Sequence, residues 1–253
     1  MKIRMLGTGY GECKIKKKTV KDFRRCGGVI VDEKILIDAP GDIFDVALEL
    51  GFSDMFDDVY DVIISHSHTS HFSLEAISKL SQSKKIRVYA TQAVLALIPH
   101  SENVEKIPLT VSVPITVGEY TLYPLPANHK TGILGECCLN FLLIRDKVLF
   151  YGLDGGHISL EGWDVMSEIL PDAVILDCAL GLSAPSFAAA YHNGFQSAKL
   201  IRDILSSKNP EKNIKIVLSH IPSDKRLSVH DELSAAASEY GMSVAYDGYF
   251  FSI

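Results

Sequence analysis

The segment Val62-Ile63-Ile64-Ser65-His66-Ser67-His68-Thr69-Ser70-His71 constrains this chain more than any other. A β-branched apolar run reads as a buried strand, and it stops abruptly in three histidines at offsets of two and then three. In an α/β sheet the carboxyl ends of strands are where ligand-binding loops gather. Imidazole is the commonest side-chain ligand for zinc-class metals, and three of them on one tight loop can converge on a small volume. A solvated loop with surface histidines is the bland alternative, and the close spacing behind a strand disfavours it.

The same punctuation recurs along the chain. Strand-like segments alternate with helix-like ones, with no linker or low-complexity stretch to mark a boundary, so residues 1–253 read as one domain. Strands are expected at Lys2–Leu6, Gly28–Val31, Ile35–Asp38, Tyr60–Ser65 and Arg87–Ala90, with helices at Ile43–Leu50, Leu74–Leu80 and Thr91–Ile98. The middle is β-rich, at Val111–Val117, Tyr120–Leu125, Leu139–Arg145 and Val148–Tyr151. Strands Ala173–Leu176, Ile214–Leu218 and Tyr249–Ile253 follow, with helices at Ser197–Leu205 and Leu233–Tyr240. Hairpins mixed with βα units in each half predict two mixed sheets packed together with helices outside. Four more apolar strands run into a histidine or an aspartate: His129, Asp154, Asp177 and His220. Each has a mundane explanation alone, as a turn cap or a structural histidine. Together with the His66–His71 loop they point to one shared site.

Composition narrows the class of ligand. A formal charge of −6 argues against broad nucleic-acid binding, which needs an excess of positive surface. No run approaches the roughly 20 apolar residues of a membrane span, and the start is too short an apolar run for a signal peptide. Five cysteines form no even, spaced framework, so a reducing, cytoplasmic setting is expected.

The order His-x-His-x-x-His, then His129, Asp154 and His220, resembles the metallo-β-lactamase-fold hydrolases. Within them the chain is most similar to the branch of the phosphoribosyl cyclic phosphate phosphodiesterase. The segments that carry this likeness are Arg24-Arg25-Cys26-Gly27-Gly28, Leu125-Pro126-Ala127-Asn128-His129, Leu176-Asp177-Cys178, Tyr191-His192-Asn193, Leu218-Ser219-His220 and Tyr246-Asp247-Gly248. The resemblance implies an α/β fold, a four-layer αββα sandwich with one or two divalent metals, zinc or manganese, at one edge. It implies one metal on His66, His68 and His129, a second on His71 and His220, and Asp154 bridging both. His192 would stand beside them as a non-ligand that contacts a phosphate oxygen or protonates a leaving alkoxide. Metal activation of water at neutral pH then implies hydrolysis, most naturally of a small cyclic or nucleotide-like phosphodiester.

Two departures follow. The family usually has aspartate where this chain has Ser70, so the second site loses a carboxylate donor and is expected to be weaker or altered, with His157 or Asp177 as candidate substitutes. Of the cysteine cluster that holds a structural zinc in the resembling enzyme, only Cys13 remains, and Ser223 replaces a histidine. No structural zinc is expected, because one cysteine cannot make a tetrahedral site. The basic run Lys14–Arg25 is either solvated surface or a means for Arg24 and Arg25 to draw in an anionic substrate. A lactone or thioester hydrolase on the same metals is the enzymatic alternative, and Ser70 leaves open a sensor that binds without turnover. A small phosphorylated substrate is the expected partner, no membrane or nucleic acid is, and a homodimer is compatible with the sequence.

Overall fold

The computed structural model describes residues 1–10, 20–183, 186–222 and 230–253; Cys13, Lys14–Lys18 and Ser223 lie outside the described residues. In chain order the first half comprises β1 (Lys2–Gly7), β2 (Gly9–Tyr10), β3 (Gly28–Val31), β4 (Ile35–Ile37), α1 (Ile43–Glu49), β5 (Asp61–Ile63), α2 (Leu74–Leu80), β6 (Ile86–Ala90), α3 (Gln92–Leu97) and β7 (Val104–Pro108). The second half comprises β8 (Ile115–Val117), β9 (Tyr120–Pro126), β10 (Leu139–Ile144), β11 (Val148–Gly152), α4 (Leu160–Glu168), β12 (Ala173–Asp177) and α5 (Phe195–Lys208). It ends with β13 (Lys215–Ser219), β14 (Ile221–Pro222), α6 (His230–Ser238), β15 (Met242–Val244) and β16 (Phe250–Ser252).

Among the described residues these strands form two seven-stranded mixed sheets, ordered β16-β1-β3-β4-β5-β6-β7 and β15-β13-β12-β11-β10-β9-β8, and a two-stranded one, β14-β2. Each sheet passes from antiparallel pairs (β1–β3 and β3–β4; β9–β10 and β10–β11) to parallel pairs (β4–β5 and β5–β6; β11–β12 and β12–β13). Helices α1, α2 and α3 fill the crossovers of the first sheet, and α4, α5 and α6 those of the second, as parallel pairing demands.

Side-chain alternation sorts the layers. Ile35, Ile37 and Ile63 of the first sheet meet Phe141, Leu143, Leu149 and Tyr151 of the second in a central core. Their neighbours Leu36, Val62 and Val88 point the other way, onto Val46, Ala76, Ile77 and Leu95 of the helices. Leu142, Phe150 and Val174 do the same against Ala198, Ile201 and Leu233. Successive Cβ atoms leave opposite faces of a strand, so a strand covered on both sides is apolar throughout, and this is why these segments read as continuous runs. The result is the expected αββα sandwich.

Several element boundaries differ from expectation. The expected strand Val111–Val117 is reduced to β8, because Ser112 is left-handed (φ 61) and Pro114 cannot donate to a ladder. Strand β7 was not foreseen: it is an edge strand, and Glu105 and Lys106, which keep such an edge from pairing further, hide its pattern. Helix α4 was also unforeseen; Ser159 caps it by accepting from the Gly162 amide at 3.1 Å, but Gly162 weakens its sequence signal. Among the described residues no helix is long and apolar enough to cross a membrane.

Phe141 is fully buried between the sheets, and truncating its side chain leaves a cavity in the central core. Phe141→Ala is expected to cost roughly 3–5 kcal/mol in urea unfolding. Leu134→Ala, at a wholly exposed position, should stay within about 0.5 kcal/mol of the parent.

Candidate metal centre

The loop after β5 is shaped by its own backbone and by one buried carboxylate. The amides of His71 and Phe72 both donate to the His68 carbonyl, at 2.9 and 2.8 Å, which folds His71 back over the strand end. Asp38, at the end of the neighbouring β4, accepts from the Ser65 amide at 2.8 Å, the Ser65 hydroxyl at 2.9 Å, His71 Nδ1 at 2.7 Å and the Tyr151 hydroxyl at 2.7 Å. Since the Ser65 proton goes to Asp38, Ser65 Oγ is left to accept from His66 Nδ1, 3.0 Å away. His129 Nδ1 likewise donates to the Tyr191 carbonyl at 3.2 Å. With the ring proton held at Nδ1, His66 and His129 keep their lone pairs at Nε2, and His71 turns its Nε2 the same way, which is how outer partners orient metal-binding imidazoles. Glu136 grips the intervening Ser67 at its amide (2.7 Å) and hydroxyl (2.6 Å).

These Nε2 atoms converge on Asp154. Its Oδ2 lies 2.8 Å from His71 Nε2, 3.2 Å from His66 Nε2 and 3.8 Å from His129 Nε2, while Oδ1 lies 2.8 Å from His220 Nε2. His68 completes the set, with Nδ1 3.2 Å from His129 Nε2. Donor atoms of His66, His68, His129 and Asp154 fall within 4.8 Å of one another, as do those of His71, Asp154 and His220. Yet His66 Nε2, His71 Nε2, His220 Nε2 and Asp154 Oδ1 are buried with no properly directed hydrogen bond. Buried polar atoms are rarely left so, and several aimed at one small volume satisfy themselves through a cation. Histidine nitrogens with a bridging carboxylate suit a zinc-class metal, so the residues present fit the expected group.

Electrostatics prepares the first donor set for that task. Burial pushes His66 down to about 3, helped by the nearby His71 charge, and also lowers His68 and His129, keeping them neutral and able to coordinate. His71 behaves oppositely. Burial opposes its charge, but Asp154 and Asp38 on either side overcome this and raise it to about 10. The space between those two carboxylates therefore calls for positive charge. Burial works in the same way against Asp154, and the charges of His220 and His71 hold it well below the usual carboxylate range.

His192 stands against the cluster. Its Nδ1 is 2.7 Å from Asp177 Oδ2 and 3.3 Å from Asp154 Oδ1, and its ring centre is 4.9 Å from that of His129. Burial disfavours the charged ring, but the hydrogen bond to Asp177 and the charges of Asp177 and Asp154 outweigh it and raise its pKa.

All seven residues singled out as ligands or acid, His66, His68, His71, His129, Asp154, His192 and His220, come together. The two arginines do not join them. Arg24 is buried, its guanidinium donating to Thr8 Oγ1 at 2.6 Å and the Ala245 carbonyl at 2.7 Å, with His230 Nδ1 at 3.0 Å. It holds the fold together and has no face to offer a substrate. Arg25 pairs with Glu49 at 2.6 Å, which cancels the charge it was expected to present. His157 is exposed and contributes its carbonyl to Asn128. The sequence reading missed Glu136, and it missed Tyr10, whose ring lies 5.1 Å from that of His220.

No family profile and no curated protein matches the sequence. Solved structures do match. The metallo-β-lactamase-fold protein YhfI from Bacillus subtilis shares 16% identity over 99% of this chain and 98% of its own, with a TM-score of 0.73. A diphosphatase from the PhnP family shares 19% identity over 100% and 97%, also at 0.73. Zinc-bound PqqB from Methylobacterium extorquens shares 15% identity over 100% of both chains, at 0.76. At such identities the likeness is one of fold, and this chain has the metallo-β-lactamase fold.

Protein dialysed against zinc and then buffer should retain an ion that His68→Ala or His129→Ala removes, read by elemental analysis. His71→Ala and His220→Ala should spare that ion. Unchanged zinc in the His68 and His129 variants would show that the metal is held elsewhere.

Proposed function

We propose that this protein is a metal-dependent hydrolase of small phosphodiesters, with His192 as its general acid. The observation that carries the reading is the Asp177–His192 pair, 2.7 Å apart, set directly against Asp154, the carboxylate common to both donor groups. A cation alone could be structural; a cation cluster with an oriented, proton-bearing imidazole at its side is built for a leaving group that needs a proton.

His66, His68, His129 and Asp154 would hold one divalent cation firmly, and His71, His220 and Asp154 a second more weakly, since Ser70 supplies no carboxylate. When bound, such ions lower the pKa of water towards neutrality and polarise a phosphoryl oxygen. The protein does the rest. Neutral histidines around one carboxylate leave the loaded site net positive, which favours an anionic phosphodiester over a neutral lactone or thioester. Asp177 holds the Nδ1 proton of His192 and stabilises the imidazolium, leaving the Nε2 proton for the departing oxygen. Water's oxygen bonds to phosphorus as the P–O bond to the leaving group breaks; the Nε2 proton passes to that alkoxide, and the proton the water gives up is returned to the ring through solvent. The shared fold of the PhnP-family diphosphatase supports phosphorus as the reaction centre.

His192→Ala should leave metal content near normal and lower turnover by roughly 10²–10⁴-fold on an alkyl phosphodiester. The loss should be much smaller with a p-nitrophenolate leaving group, which departs without protonation. Asp177→Asn should show the same leaving-group pattern at smaller amplitude. Equal losses on both substrates would make His192 a phosphate-positioning group. Metal-loaded protein that turns over thioesters but not bis(p-nitrophenyl) phosphate would overturn the phosphodiester reading, and one that binds phosphate without turnover would be a sensor.

Ser70→Asp should raise the affinity for the second cation, seen as a later loss of metal in a chelator titration. Two ions of equal affinity in the parent protein would show that another side chain already serves in place of the missing carboxylate.

A further inference from the structure

Single exposed aromatic residues are ordinary on a protein surface, and three at one site are less so. Phe187 is 83% exposed, Tyr10 44% and Tyr191 37%; Tyr10 and Tyr191 adjoin the donor cluster, and Phe187 packs on Tyr191. Tyr10, on β2, sets its ring edge-on to His192 at 5.0 Å and to His220 at 5.1 Å. Tyr191 precedes His192 in the chain, and its carbonyl accepts from His129. Phe187, one turn earlier, packs edge-on to Tyr191 with ring centres 6.1 Å apart.

The Phe187–Tyr191 pair is held in place by the backbone that carries the site. Residues Phe187–Ala190 form a 3-10 turn capped by the Ser186 hydroxyl, and the amides of Tyr191 and His192 both close on the Ala188 carbonyl at 2.9 Å. On its other side the turn lies on Gly156, two residues beyond Asp154. A Cβ at Gly156 would come within 2.5 Å of the Ala189 carbonyl oxygen and 2.6 Å of that of Ala190, so only glycine permits this approach. The pair is thus fixed to the strand end that bears the bridging carboxylate, while Phe187 buries almost nothing for the fold. A side chain so positioned and so little used in packing is suited to a ligand.

We infer that Tyr10, Phe187 and Tyr191 form a stacking wall for a flat aromatic group joined to the phosphate, so that the substrate is a nucleotide-type ester and not a base-less sugar phosphate. This rests on the phosphoester reading above. The rings offer flat faces for one base, sequence-tolerant as aromatic stacking is, next to donors that take the phosphate. Three rings interspersed with histidines and carboxylates suit a single heterocycle better than an acyl chain, which needs a continuous apolar channel.

The test is calorimetric titration of zinc-loaded protein with AMP and, separately, with ribose 5-phosphate, which differ in the base. AMP is expected to bind about tenfold tighter or more, the range one stacked base supplies. In the Phe187→Ala/Tyr191→Ala variant, which keeps Tyr10, the AMP affinity should fall severalfold towards that of ribose 5-phosphate, whose own affinity stays unchanged; Phe187→Trp should keep the preference. Equal affinities in the parent protein, or a preference undiminished in the double variant, would overturn the wall while leaving the phosphoester reading intact. Failure of both ligands to bind protein whose zinc content is normal would overturn the phosphoester reading, and the wall with it.

Discussion

The centre is organised around a carboxylate that no ligand would touch. Asp38 is fully buried and accepts four hydrogen bonds, from the Ser65 amide and hydroxyl, His71 and Tyr151. Burial alone would neutralise it; the His71 charge and these donors reverse that and keep it an anion. Because Asp38 and Ser65 end strands of one sheet and Tyr151 lies on the other, this single anion ties the two sheets together at the edge where the histidines gather. It also fixes which nitrogen of His66 and of His71 carries a proton. Each donor stranded by its removal would cost about 1–3 kcal/mol, and the histidine loop would lose its tautomers together with its anchor.

Around that anchor the backbone is held in conformations it would not choose. Asp38 (φ 62), Asp154 (φ 49) and His220 (φ 56) are non-glycine residues in the left-handed region, each at the end of a strand. Such placements cost roughly 1–3 kcal/mol apiece and persist only where the surroundings over-determine them. For Asp154 the determinants are visible. Asn140 holds the Leu153 carbonyl at 3.1 Å, Asn193 holds that of Gly155 at 2.8 Å, and the Cys138 thiol contacts that of Asp154 itself at 3.6 Å. His220 is fixed between two neighbours, with the Cys178 amide on Ser219 and the Ile221 amide on Thr8, both at 2.8 Å. The strain is concentrated where side chains must leave the strand direction to meet at a point.

How much of this was legible depends on how locally each feature is encoded. The His66, His68 and His71 loop lies within six consecutive residues behind an apolar run, and the alternation that sorts Ile35 and Ile37 from Leu36 is a property of the strand itself. His129, Asp154 and His220 could be read because each ends a strand in the same way. Arg24 was misread for the opposite reason. A cation in a basic run looks solvated, and its fate was settled by Ala245 and His230, 221 and 206 positions away. Glu136 is a loop acid with no local distinction, and its role depends on Ser67, 69 positions earlier. Asp177 stood out as a strand end, but its bond to His192 exists only once α5 and the turn before it are folded against β12.

The two donor groups that meet at Asp154 are electrostatically unequal. In the first group burial keeps His66, His68 and His129 neutral, so a cation arriving there displaces no proton. In the second, His71 lies between Asp154 at 2.8 Å and Asp38 at 2.7 Å, and those two anions draw a proton onto the ring. A cation must compete with that proton for the same negative charge before it gains the nitrogen lone pair. Ser70 of the same loop is uncharged, so the negative charge around His71 comes from Asp154 and Asp38. The two groups thus differ in charge around the carboxylate they share, and His192 faces that carboxylate with its Nδ1 3.3 Å from Asp154 Oδ1.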